Sequence, residues 1–578
     1  MKDIILESYF TSFCESRGLK KDSTDFEYFV NYSILSKYIS IYDLSTVHVA
    51  DNGNYGIDGI AIIVNDCLML SKNDIEHFLD KAASLRAEVI FIQSKKSDSF
   101  DSGEFLKFSS AIIDFLTSSE MPTSPKIKDF RDIFNIILKN SIRFQEIKCN
   151  AYFAYTGIKQ PSSVDNIISQ QEKIISGLHI FKDVKFEITD SSILKKNYSQ
   201  IENIIEKTID ATYLTSIPLP KLDEVTEVFS GVISATDLIK IITDEEKTLL
   251  KNLFSDNVRD FQGMNPVNKD IQDTLQNSHN KVLFPVLNNG ITIVASQAKR
   301  VRTSITLTNY QIVNGCQTCH ILFYNKDILE NVFVPVKIIS SDSSETVNSI
   351  TKATNWQTQV TEEAFETTRD FHKELERIFL VLQKERGYNL YYERRSKQYA
   401  YHSKIKKYQI ITMPILLYSF MSMFLDMPHS TQHYYGLMLK EHKKKIFDSS
   451  HNLMAYYLSA FLFNKITWII SQQKHVDLRP AKYMYIYGFK VLLWGNNLPQ
   501  LNSAALDKQI KLALDFLDDI ENIKKCFLII SKYIGQYCTK ENINYYKLSS
   551  LKSFTMVLED ALIKEREKGL DWLPRLTK

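Results

Sequence analysis

The stretch from Tyr55 to Lys96, YGIDGIAIIVNDCLMLSKNDIEHFLDKAASLRAEVIFIQSKK, constrains the fold more than any other part of the chain. Two short apolar runs rich in Ile and Val, Gly59 to Val64 and Val89 to Ile92, suit buried strands better than helices. Each carries polar residues at one end: Asp58 precedes the first, and Gln93, Ser94 and Lys95 follow the second. Side chains on a strand repeat every two residues, so Gln93 and Lys95 share a face. This is the minimal kit for metal-assisted phosphodiester hydrolysis. Asp58 would hold a hard divalent cation, Mg²⁺ or Mn²⁺, through oxygen, and Gln93 would offer a second oxygen. Lys95 would orient or deprotonate water and offset charge building on the phosphate. The plainer alternative is two core strands with solvated ends.

An Asp at the start of one strand followed by Gln-x-Lys on the next resembles the PD-(D/E)xK restriction-endonuclease-like superfamily, in the branch where Gln replaces Glu. Gly56 and Gly59 flank Asp58, which allows close backbone approach. Phe105, Phe108, Ile112, Phe115 and Leu116 fall at helical spacing, as expected of the helix that covers such a sheet. The resemblance also implies a helix with a metal-side Glu upstream, and Glu27, in FEYFVNYSILSKYI, matches that place. Catalysis is thus expected from Asp58, Gln93, Lys95 and Glu27, with Asp58 and Gln93 as metal ligands. Ser94 is expected to contribute its backbone carbonyl.

At 578 residues the chain exceeds one compact core, and two to four domains are expected. Apolar content of 44% and charged content of 24% are those of a globular protein without a disordered tract. KDIILESYF after Met1 is too short and too charged for a secretory signal, and Ile410 to Leu425, broken by Pro414, reads as a buried helix. Seven scattered cysteines give no disulfide framework, and Cys316 and Cys319 lack a second pair for a zinc site. These features predict a cytoplasmic protein with no membrane partner. A net charge of +2 provides no global field for nucleic acid, so any such binding must come from a local patch.

In chain order, a nuclease-like domain is predicted over residues 1–120, ending at the SSEMPTSP run. A mixed α/β connection over 121–224 includes helices near 127–138 and 164–176 and strands near 147–155 and 184–188. The next dense stretch carries Asn-Gly turn signals at Asn289–Gly290 and Asn314–Gly315. Side-chain amides and turn N–H groups there could recognise a polar ligand, with Asn289, Asn314, Gln317 and Thr318 as candidates; simple turns are the alternative.

The strings NVRDFQGMN (257–265), LNNGITI (287–293), QIVNGCQT (311–318), ATNWQTQV (353–360) and YYERR (391–395) resemble the AIPR family, named for abortive phage infection. The resemblance implies a bacterial antiphage protein whose defining domain spans about 225–410. Members often carry a nuclease-like N-terminal part, and a phage-derived trigger would act on the rest.

Lys384 to Gln409 is a concentrated basic stretch. Lys384, Arg386, Arg394, Arg395, Lys397, Lys404, Lys406 and Lys407 stand against Glu385 and Glu393, with tyrosines between them. Bases that neutralise phosphates beside rings that stack on bases suit nucleic acid, and DNA is favoured over RNA by the superfamily resemblance. A solvated surface beside a core strand is the alternative. Residues 411–578 read as helical, with apolar stripes for a core or a subunit interface in a homo-oligomer. The fold class expected is multidomain α/β and α+β: a restriction-endonuclease-like α/β core, a mixed α/β middle and a helical C-terminal region. The competing function is an inactive sensor that binds a nucleotide, nucleic acid or phage protein.

Overall fold

The computed structural model describes all residues except 1, 40–42, 51–55, 66, 82–84, 119–123, 158–163, 203–204, 221–223, 245–246, 248, 255–265, 342, 356–369, 395–397, 400–403, 473–477, 496, 575 and 577–578. The fold is mixed α/β in its N-terminal half and helical in its C-terminal region, as the sequence predicts.

The chain opens with α1 (Ile4–Arg17) and α2 (Ser23–Leu35). Asp22 and Asp25 form a reciprocal capping box at the start of α2, satisfying N–H groups that a helix terminus otherwise leaves unpaired. Then come β1 (Gly59–Val64), β2 (Cys67–Leu68), α3 (Lys72–Lys81), β3 (Leu85–Lys95), α4 (Ser102–Thr117), α5 (Pro125–Lys139), β4 (Phe144–Tyr155), α6 (Val164–Ser176), β5 (Asp183–Thr189) and α7 (Ser191–Glu202). The strands make one sheet in the order β2-β1-β3-β4-β5. β1 runs antiparallel to β3, with Gly59 opposite Ile92, whereas β3, β4 and β5 are parallel.

Both faces of this sheet are covered, so β1 and β3 are apolar on both sides. Ala61, Ile63, Ile90 and Ile92 pack with Phe10, Phe26, Phe29 and Leu194 from α1, α2 and α7. Ile60, Ile62, Val89 and Phe91 pack with Phe105, Phe108, Phe115 and Phe134 from α4 and α5. The predicted boundary at residue 120 cuts through this layer, because β4 and β5 continue the sheet that holds Asp58 and Gln93.

A second sheet is built from β6 (Glu206–Asp210), β7 (Leu214–Ser216), β8 (Glu227–Ser234), β9 (Ile291–Val301), β10 (Ser304–Asn314) and β11 (Phe333–Ser340). Its order is β6-β10-β9-β11-β8-β7, so it begins before the predicted start at residue 225. Between and after these strands lie α8 (Ala235–Ile242), α9 (Pro266–Gln276), α10 (Ser278–Val282), α11 (Phe284–Leu287), α12 (Cys316–Tyr324) and α13 (Ser344–Asn355).

The C-terminal region packs helices around one large core. All thirteen residues of the helix Lys482–Trp494 are buried, so that apolar stripe is core. Leu453–Ser471 is long and apolar enough to cross a bilayer, yet most of it is buried among neighbouring helices. This region also reaches the first α/β unit at the start of α3: His433 Nδ1 lies 3.0 Å from Ser71 Oγ, and the Tyr434 N–H donates to Asp74 at 3.0 Å.

Candidate functional site

Asp58 sits at the mouth of β1, held on both sides by backbone. Its N–H donates to Ile92 O at 2.8 Å and its carbonyl accepts from Val49 N–H at 2.9 Å. The carboxylate is buried, and its Oδ2 accepts three hydrogen bonds: from Gln93 Nε2 at 2.7 Å, Ser94 N–H at 2.7 Å and Ser94 Oγ at 2.9 Å. Asp58 and Gln93 therefore meet. The amide nitrogen of Gln93 faces the carboxylate, because an amide N–H donates and a carboxylate oxygen accepts. Gln93 Oε1 is buried with no hydrogen-bond partner. Ser94 contributes more than its carbonyl, through both its N–H and its hydroxyl.

Burial pushes the Asp58 carboxyl up to about 6, and the neighbouring Glu27 adds to the rise; the Ser94 donors and His48 oppose it. Glu27, on α2, accepts from His48 Nε2 at 2.6 Å. His48 bridges Gly59 across a short antiparallel contact and packs its ring edge-on to Tyr28 at 4.7 Å. Thus Glu27, His48 and Asp58 lie in one electrostatic neighbourhood.

Lys95 follows Gln93 on the α4 face of β3. Its ammonium pairs with Glu104 on α4 at 2.6 Å, and this contact holds the Glu104 carboxyl below the usual range. Among the described residues, no three His, Cys, Asp or Glu side chains are grouped so as to hold a metal ion. Asp58 and Gln93 Oε1 supply oxygen donors, which suit a hard cation whose remaining shell is water.

Two residues of this neighbourhood were not singled out from sequence. His48 meets Glu27 only through folding. Asn31 lies one helical turn after Glu27 and is fully buried, with both amide atoms unpartnered. Its Oδ1 stands 2.4 Å from where a Cβ on Gly59 would lie. The i, i+4 spacing from Glu27 was its available signal.

The two Asn-Gly turns converge at one end of the second sheet. Gly290 and Gly315 adopt φ of 82° and 97°, and a Cβ on Gly315 would fall 2.7 Å from Ile291 Cγ1. Gln317 Oε1 accepts from Asn268 at 2.6 Å, buried Thr318 Oγ1 from Asn288 at 3.3 Å, and Asn289 is exposed. Asn314 ends β10. Cys316 and Cys319 are buried and form no disulfide, and Cys316 Sγ lies 3.4 Å from His320 Nδ1.

In the basic stretch, Arg386 is paired with Asp515 at 2.7 Å and Asp518 at 3.1 Å, and buried Arg394 with Glu376 at 3.0 Å. Lys407 donates to Tyr32 at 3.3 Å. Lys384, Lys404 and Lys406 are exposed, so the charge available to a phosphate is smaller than composition implies. Arg395 and Lys397 lie outside the described residues.

A family model described as AIPR protein matches residues 254–555, more than half of the chain. The chain belongs to the AIPR family. The match extends well past the expected limit near residue 410 and takes in most of the helical C-terminal region, so the AIPR part includes the region that reaches the first α/β unit. No curated protein and no solved structure matches.

Proposed function

We propose that this AIPR protein is an antiphage defence protein of the abortive-infection type, whose first sheet carries a metal-dependent phosphodiester hydrolase site acting on DNA in preference to RNA. The supporting observation is a buried carboxylate, pushed up to about 6, beside a buried amide oxygen that has no hydrogen-bond partner. A buried carboxylate and a buried amide oxygen without a donor are both costly, and a cation bound between them would relieve both. Asp58 and Gln93 would hold Mg²⁺ or Mn²⁺. When bound, such an ion supplies a Lewis acid and a water of lowered pKa. The Ser94 N–H and hydroxyl fix the Asp58 carboxylate, and Glu27 adds negative potential beside it. Lys95, released from Glu104, would stand two residues along β3 to orient water and offset phosphate charge. Lys384, Lys404 and Lys406 offer exposed charge to the nucleic-acid backbone.

The Lys95–Glu104 pair favours a second reading, in which the first sheet is inactive and the protein binds a phage-derived cue. Plasmid cleavage with and without Mg²⁺ separates the two. The hydrolase reading expects metal-dependent cutting that falls at least about 100-fold in Asp58→Ala and in Lys95→Ala. No cutting by the wild type in Mg²⁺ or Mn²⁺, with or without phage lysate, supports the binding protein.

A further inference from the structure

The segment that carries His48 is held from outside the first sheet. Lys126, buried in the first turn of α5, donates to the backbone carbonyls of Ser45 and of His48, the latter at 2.6 Å. Its ammonium lies 5.3 Å from the ring of Tyr546, in the C-terminal region. The same segment's Asp43 takes the ammonium of buried Lys482.

A second line of contact reaches α2. Arg479 donates to Asp25 at 3.4 Å and lies 4.6 Å over the ring of Tyr28. Tyr28 in turn meets His48, whose ring holds Glu27. Both lines therefore end at the Glu27–His48 pair.

These contacts line a narrow cleft that also includes Asp129, Gln432 and Tyr483. Lys126, Arg479 and Lys482 face Asp129, Asp43 and, behind Arg479, Asp25. With its charges so matched, the cleft is better suited to holding its own walls than to taking an ionic ligand.

We propose that Lys126 and Arg479 are positioning residues for the first-sheet site: they set where the Glu27–His48 pair stands relative to Asp58. The seating of the C-terminal helices thereby governs the geometry of a site far away in sequence. The physical basis is that the inner and outer sides of this segment are held by different parts of the chain. Residues 47–49 join the Asp58 strand through Val49 N–H to Asp58 O and Ile60 N–H to Val47 O, each at 2.9 Å. Val47 and Val49 anchor its inner side in the two cores of the sheet, whereas on its outer side the carbonyls of Ser45 and His48 are held by Lys126; removing such an outer contact lets the backbone bonds open more readily. The catalytic part of this inference rests on the hydrolase reading; the positioning part does not.

Hydrogen exchange on the full chain tests it, read by mass spectrometry on peptides containing Val49 and Ile60. Lys126→Met and Arg479→Met are expected to exchange there about tenfold faster than wild type. Lys126→Arg and Arg479→Lys should be intermediate, and Lys240→Met, which removes an exposed ion pair on α8, unchanged. Plasmid cleavage by the two Met variants should lose about tenfold in kcat with KM held. Unchanged protection in both Met variants overturns the proposal, as does lost protection with kcat intact. Should a Met variant fail to fold, the conservative pair carries the comparison. A wild type that cuts nothing defeats the hydrolase reading, and exchange alone then decides the positioning claim.

Discussion

Three donors converge on one oxygen of Asp58, yet burial and Glu27 outweigh them and the carboxyl is pushed up to about 6. The folded chain therefore holds this proton more tightly than the unfolded chain does. Below the ordinary carboxylate range both states are protonated, and burial of the group costs nothing on this account. As pH rises from about 4 to about 6 the unfolded state ionises first, stability is lost, and above that window the loss is complete. Asp58→Asn keeps an acceptor for Ser94 while removing the charge. In metal-free buffer it should stabilise the protein by roughly 1–3 kcal/mol at pH 8 and by nearly nothing at pH 4. Urea denaturation at the two pH values checks this; an equal gain at both would mean that the charge is not the cause. The same substitution should abolish metal-dependent cutting, since the destabilising charge is the one that would hold the cation.

At the scale of elements, α2 and β1 meet where Asn31 fills the place of a missing side chain on Gly59. Gly59→Ala would push a methyl to 2.4 Å from Asn31 Oδ1 and should cost roughly 1–3 kcal/mol. Asn31→Ala clears that space and removes a buried, unpartnered amide, so alone it should be near neutral. Together the two changes should fall short of their summed cost by about 1 kcal/mol or more. Simple additivity in urea denaturation would place the clash elsewhere. The elements themselves were legible: β-branched runs marked β1 and β3, and apolar spacing marked α4, because those signals are local. The pairing of strands was not. Ile147–Tyr155 reads as a buried strand whichever sheet receives it, so the boundary near residue 120 misplaced β4 and β5. Asp58 and Gln93 could be matched to a motif, whereas the Glu27–His48 bond joins residues that no local pattern links.

Across the whole molecule, the C-terminal helices and the first sheet are joined by buried charge. Burial alone would raise the Asp43 carboxyl, but Lys482 and the Ser45 donors hold it below the usual range. Lys482→Met would leave that carboxylate with the Ser45 N–H at 3.0 Å and its hydroxyl at 2.8 Å. A buried charge stripped of its counterion costs about 3–5 kcal/mol, and Asp43→Asn added to the same chain should recover most of it. Because the contribution of Asp43 is present above the ordinary carboxylate range and lost as pH falls through it, the defect of Lys482→Met should also shrink in acid. Its location adds a second expectation. The four tryptophans, Trp356, Trp468, Trp494 and Trp572, all lie in the C-terminal half, so their fluorescence follows that half while far-UV circular dichroism follows both. If this interface couples the two halves, wild-type urea transitions seen by the two probes coincide, and in Lys482→Met they separate. Coincident transitions in the variant, at an unchanged midpoint, would show that the pair does not join the halves, and that the C-terminal helices are seated by their apolar packing instead.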